Sequence, residues 1–141
     1  MIAEMALPEP PKAVGNYVTI KKAGNFIYTA GHVPIDKETK FLGKVPNEVS
    51  VDDAYSAASL CAELTLATLS TEYDLEALTP INVVGFVNSE SSFTDHASVL
   101  NGFTDKLAET YDEKATRSAV GVASLPLNVS VEVQTIFLIN D

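Results

Sequence analysis

One cysteine, one arginine and two histidines are all that this 141-residue chain has of the side chains that most often form bridges, clamp anions or shuttle protons. Cys61 has no second thiol to pair with, and no Cys-x-x-Cys or Cys/His cluster surrounds it, which excludes an intrachain disulfide framework and a structural zinc. A reducing, cytoplasmic setting is the expectation. His32 and His96 stand far apart, and the sequence has no Gly-rich phosphate loop, nucleophile elbow or His-Glu-x-x-His motif. No apolar run approaches the roughly 18 residues of a membrane span. The opening Met1–Pro8 stretch has neither the basic nor the sustained apolar segment of a secretory leader. A soluble chain with no membrane partner is expected.

Basic charge is scarce too. Nine Lys and Arg against 19 Asp and Glu give a net charge of −10, and such a surface repels phosphate backbones, so nucleic acid is not expected as a partner. Eight of the nine basic residues are lysines and the ninth is Arg117. Lysine suits a solvated surface, whereas the planar guanidinium suits a bidentate grip on a carboxylate or phosphate.

What is present fits one domain over residues 1–141. Of the chain, 46% is hydrophobic, and a chain this long withdraws roughly two-thirds of its unfolded surface from water on folding. Residues 8–16 are too rich in proline and glycine for regular structure. Val18–Lys22 and Asn25–Ala30 read as short strands around Ala23-Gly24, and a Gly31-His32-Val33-Pro34 break ends the second. The polar stretch to Glu48 allows a short edge strand near Phe41–Val45.

Ser50 is the expected N-cap of a helix over Val51–Tyr73, with Asp52 and Asp53 in its first turn and Ala54, Ala58, Cys61 and Leu64 on its buried face. Cys61 reads there as a small buried hydrophobe. After Pro80, the apolar run Ile81–Val87 reads as a strand covered on both faces. A second helix is expected over Thr94–Tyr111, its apolar stripe taking in Phe103, Thr104 and Leu107, and two strands close the pattern at Arg117–Ala123 and Val129–Ile139. This order indicates an α+β fold, a mixed sheet with two helices packed on one face. The last strand is apolar toward both sides near its end and mean hydropathy is slightly positive, so a second copy of the chain is expected to cover the other face.

Two charged residues stand inside these apolar strands, Arg117 and Glu132, where burial is costly unless something compensates. They read either as a buried ion pair or frayed strand end, the two strands forming a hairpin of open register, or as parts of a carboxylate-binding pocket.

Three segments carry a family resemblance: Ala13–Val18, Ile27–Pro34, and above all Thr116–Pro126 running into Val131-Glu132-Val133. They resemble the Rid family, the YjgF-type reactive intermediate deaminases also known as L-PSP endoribonucleases, in order over nearly the whole chain. The resemblance implies a chorismate-mutase-like α+β fold assembled as a homotrimer, with ligand clefts between neighbouring subunits and no cofactor. It implies that Arg117 grips the carboxylate of a 2-imino or 2-enamino acid, which is hydrolysed to a 2-keto acid and ammonia. Glu132 is implied to position or activate the attacking water, Tyr17 to line the cleft, and Gly31 to let substrate approach the backbone.

The match has gaps. Ala30-Gly31-His32 stands where active members often have Ser-Gly-Gln, and Ala119 stands where they often have cysteine. A longer connection from Phe93 leaves Asn101 without a firm family counterpart. His32 either replaces the missing polar group or closes a surface turn. A trimeric imine/enamine deaminase is therefore the leading expectation, with a non-catalytic trimeric binder of small carboxylic acids as the alternative. Ribonuclease activity is opposed by the −10 charge and by the lack of a general acid/base histidine pair.

Overall fold

The computed structural model describes residues 6–38 and 40–141. Met1–Met5, part of the stretch read for a leader, and Thr39 in the polar segment lie outside the described residues. The element order is β1 (Ile20–Ala23), β2 (Phe26–Thr29), α1 (Val51–Ser70), β3 (Leu78–Asn88), α2 (His96–Ala108), β4 (Thr116–Val122) and β5 (Val131–Ile139). This is the expected α+β pattern of two helices and a mixed sheet.

Local chemistry sets the element ends. Ser50 caps α1, its Oγ accepting from the Asp53 N–H at 3.1 Å, with Asp52 and Asp53 favoured by the helix dipole in the first turn. The helix stops short of Tyr73, and the Thr71 hydroxyl donates to the Thr68 carbonyl at 2.7 Å. Helix α2 is shorter than expected at both ends. Asp95, its N-cap residue, accepts from the Ser98 hydroxyl and gives no bond to the helix N–H groups. Gly102 lies where α2 meets α1, and a methyl group there would overlap the Tyr55 carbonyl, so glycine permits the close crossing.

The sheet order is β1-β2-β5-β3-β4. β3 pairs with β4 in parallel, α2 forming the crossover, and the other neighbours are antiparallel. β3 begins before Pro80, not after it, because its ladder with β5 shifts register between Pro80 and Asn82 and so accommodates a residue with no N–H. The edge strand expected near Phe41–Val45 is reduced to isolated bridges, Leu42 to Val129 and Val45 to Ser89. A hairpin of the last two strands, which the sequence left open, does not form. β3 lies between β4 and β5, because a parallel β3–β4 pair leaves only the other edge of β3 for β5.

Both helices cover the same face. Val83 and Val87 of β3, Val131, Val133 and Phe137 of β5 and Ile27 of β2 share one core with Ala54, Ala58 and Cys61 of α1 and Leu100 and Phe103 of α2. Side chains alternate along a strand, so Val84, Phe86, Ile136 and Leu138 point the other way. No helix covers that second face among the described residues. Phe26, Tyr28 and Val120 are 42%, 46% and 43% exposed on it. No helix of the described residues is long and apolar enough to cross a membrane.

Candidate functional site

Arg117 is the second residue of β4, in register with Val83, so it points to the helix face at the open edge of the sheet. Its Nη1 donates to Asn101 Oδ1 at 2.8 Å and to Thr104 Oγ1 at 3.0 Å. Asn101 and Thr104 are three residues apart on α2 and therefore share a face. Both Nη1 hydrogens are thus committed to neutral acceptors, and no carboxylate of the described residues lies within ion-pair distance of the guanidinium. The Nε–H and Nη2–H edge is left as a two-pronged donor, the shape that a carboxylate fits. It lines a cleft of about 430 Å³ together with Pro80, Tyr111 and Lys114.

Glu132 lies on the opposite face. It pairs in register with Phe86 and alternates with the core residues Val131 and Val133, so it projects away from the helices. The side chain is half-buried, and burial pushes its carboxyl above the ordinary carboxylate range. Among the described residues it has neither a hydrogen-bond nor an ion-pair partner. Gly31 lies directly against it, so that a methyl group on Gly31 would overlap Glu132 Oε2. Any larger residue here would have to displace the Glu132 carboxylate from its position. An unpaired carboxylate with a raised pKa is suited to accept a proton from water.

The Ala30–His32 turn is fastened from both sides. The His32 backbone exchanges hydrogen bonds with Val133, His32 N–H to Val133 O at 2.8 Å and Val133 N–H to His32 O at 3.0 Å. The ring is 3% exposed, with Nδ1 2.8 Å from the Ala30 carbonyl and Nε2 2.8 Å from Thr68 Oγ1. A carbonyl only accepts, so Nδ1 carries the proton and Nε2 accepts from the Thr68 hydroxyl. Burial lowers the ring pKa, partly offset by the bond to Ala30, which keeps the imidazole neutral near pH 7. Both roles expected for His32, in the cleft or in a surface turn, are replaced by a buried tether.

Tyr17 lies ahead of β1, 47% exposed, its hydroxyl accepting from the Val14 N–H at 3.4 Å. Of the four expected site residues, one chain joins Gly31 with Glu132 and sets Arg117 apart on the other side of the sheet. Asn101 and Thr104 are the partners the sequence reading did not assign. Their signal was two polar residues at helical spacing on an otherwise apolar stripe. Cys61 is fully buried and its thiol is raised by burial first and by Glu132 second, as suits an inert core residue.

The scaffold defines a class of α+β subunit, two helices on one face of a mixed sheet, with an arginine edge and an isolated carboxylate offered on opposite faces. Residues 8–139 match the family model described as Endoribonuclease L-PSP, and the chain belongs to that family. It is 30% identical over 126 residues to the putative reactive intermediate deaminase TdcF of Escherichia coli K12, covering 89% of this chain and 88% of that protein. It is 28% identical over 136 residues to the 2-iminobutanoate/2-iminopropanoate deaminase of the same strain, covering 96% and 97%. Among solved structures, Atu1372 of Agrobacterium tumefaciens, of unknown function, is similar at 34% identity and a TM-score of 0.87, covering 99% of this chain and 88% of that one. E. coli TdcF with bound serine is similar at 25% identity and a TM-score of 0.68, covering 94% of each chain.

Proposed function

We propose that the protein is a hydrolytic deaminase of 2-imino and 2-enamino acids, acting as a homotrimer at clefts where the Arg117 side of one copy faces the Gly31–Glu132 side of the next. The observation that carries this reading is the placement of the two unpaired groups. Arg117 and Glu132 sit on opposite faces of one sheet with β3 between their strands, so a ligand held by both must lie between two copies. The apolar second face gives the copies a reason to associate. The deaminase names of two relatives and the serine bound to TdcF support a ligand with a carboxylate next to a nitrogen-bearing carbon.

The chemistry needs little machinery. Arg117 holds the substrate carboxylate through Nε–H and Nη2–H, its orientation set by Asn101 and Thr104. An enamine first takes a proton from solvent at C3, which gives the protonated imine. Water adds to C2 as Glu132 accepts its proton, giving a carbinolamine. Glu132 returns that proton to the nitrogen, and collapse forms the C2 carbonyl and breaks the C–N bond as the hydroxyl proton passes to solvent, replacing the one that protonated the imine. The products are a 2-keto acid and ammonia. Tyr17 lines the cleft, and no cofactor takes part.

Ammonia release from freshly generated 2-aminoacrylate tests the reading, with acceleration over the spontaneous rate as the expected result. Ala30 and Ala119 favour one competing reading, because they leave the cleft without the hydroxyl or thiol that active members often have there. A non-catalytic trimer would bind a 2-keto acid and leave the rate of ammonia release unchanged.

A further inference from the structure

Among the described groups of the Gly31–Glu132 side, one buried polar ring has no part in the mechanism above. His32 spends both ring nitrogens on contacts inside the chain, one to the carbonyl of the residue before Gly31 and one to Thr68 on α1. Its own backbone is bonded in both directions to Val133, the residue after Glu132. The Ala30–Gly31 peptide is therefore tied at one end to the neighbour of Glu132 and, through the imidazole, to the helix behind the sheet. The Gly31 backbone in turn lies close to the Glu132 carboxylate, which has no hydrogen-bond or ion-pair partner among the described residues.

We propose that His32 is a positioning residue: its Nδ1–H bond to Ala30 O, braced by Thr68 on Nε2, holds the Gly31 backbone against Glu132 and keeps water from solvating that carboxylate freely. A buried, doubly bonded neutral ring is a stiff spacer between α1 and the turn. Losing it leaves the Ala30 carbonyl and Thr68 hydroxyl without partners, and the turn relaxes toward solvent. Arg117, on the other face, is untouched. The inference rests on the deaminase reading for its kinetic consequence and not for its structural one.

Conservative variants separate the two ring nitrogens. His32→Asn places an amide N–H near the position of Nδ1 and can still reach Ala30 O, whereas His32→Gln reaches toward Thr68 and loses Ala30. His32→Leu loses both; should it fail to fold, His32→Gln decides in its place, and Thr68→Val, which removes only the brace, should move the same readouts the same way by less. Two readouts are followed in the folded trimer: the ¹³C titration of the Glu132 carboxyl, and kcat and KM for imine hydrolysis. The expected result is that His32→Gln and His32→Leu bring the Glu132 titration down toward the ordinary carboxylate range. In the same two variants kcat falls by about tenfold at nearly unchanged KM. His32→Asn keeps both readouts near wild type.

An unchanged Glu132 titration in folded His32→Leu would overturn the proposal. So would equal impairment of His32→Asn and His32→Gln in step with lost thermal stability, which marks a merely structural ring. A wild-type protein without imine hydrolysis would defeat the deaminase reading alone, because the Glu132 titration still decides the role of His32.

Discussion

The two faces of the sheet are cut from the same strands and hold their charged residues in contrasting ways. On the helix face, Arg117 is oriented by its own chain, with both Nη1 hydrogens taken by Asn101 and Thr104 and the other edge left free. On the second face, Glu132 lies against Gly31 with no hydrogen-bond or ion-pair partner among the described residues, and its carboxyl is raised by burial. The core side is closed, with Val83, Val133 and Phe137 fully buried, whereas Tyr28 on the other side is 46% exposed. The difference teaches that the chain orients its arginine by itself, whereas the surroundings of its carboxylate depend on what covers the sheet; on the proposed reading each face offers half a site.

The comparison is broken most severely by removing that cover. Tyr28→Asp places a charge on the uncovered face at a position exposed in the single chain, so the chain should still fold while the assembly dissociates. Light scattering should then report a monomer, and imine hydrolysis should disappear with the trimer. A trimeric Tyr28→Asp protein of unchanged activity would contradict the role given to this face.

Glu132→Gln comes next in size. The amide keeps a hydrogen bond but accepts no full proton, so kcat should fall by about two orders of magnitude while carboxylate binding persists. Steady-state kinetics against 2-keto acid binding by calorimetry checks the split. Arg117→Lys keeps the charge and loses the two-pronged edge. At roughly 1.5 to 3 kcal/mol for one charge-assisted bond, kcat/KM should drop by about one to two orders of magnitude with the trimer intact.

The smallest effect concerns stability and has a definite sign. Because the folded chain raises the Glu132 pKa, it binds that proton better than the unfolded chain does. The stability contributed is fully present below the ordinary carboxylate pKa and is lost as pH rises through the raised value. Glu132→Gln, which cannot ionise, should therefore melt slightly higher than wild type at pH 7. The difference should vanish below about pH 4. Melting curves at the two pH values decide it.

Much of this architecture was legible because it is local. Ser50 followed by Asp52 and Asp53 announces α1, and the β5 alternation Val131, Val133, Phe137 against Glu132, Ile136, Leu138 already describes two separate faces. Strand order is not local. α2 carries the chain across to a parallel partner of β3, which turns Arg117 toward Asn101 and Thr104 and puts β3 between Arg117 and Glu132, and no spacing within the last two strands encodes that. The tether of His32 to Thr68, 36 residues away, is likewise a tertiary contact that the Gly31-His32-Val33-Pro34 break gives no sign of. The resemblance to the Rid family supplied Arg117, Glu132 and Gly31 as site residues. The geometry supplied the reason that they cannot meet within one chain.

That separation can be tested by subunit complementation. Arg117→Ala and Glu132→Gln trimers, each nearly inactive alone, are unfolded together and refolded as a random mixture. If every cleft takes its arginine from one copy and its glutamate from the next, some mixed clefts hold both intact groups. Ammonia release should then return to about one quarter of the wild-type rate. A mixture no more active than its parents, with mixed trimers demonstrated by mass spectrometry, would contradict a site shared between two copies.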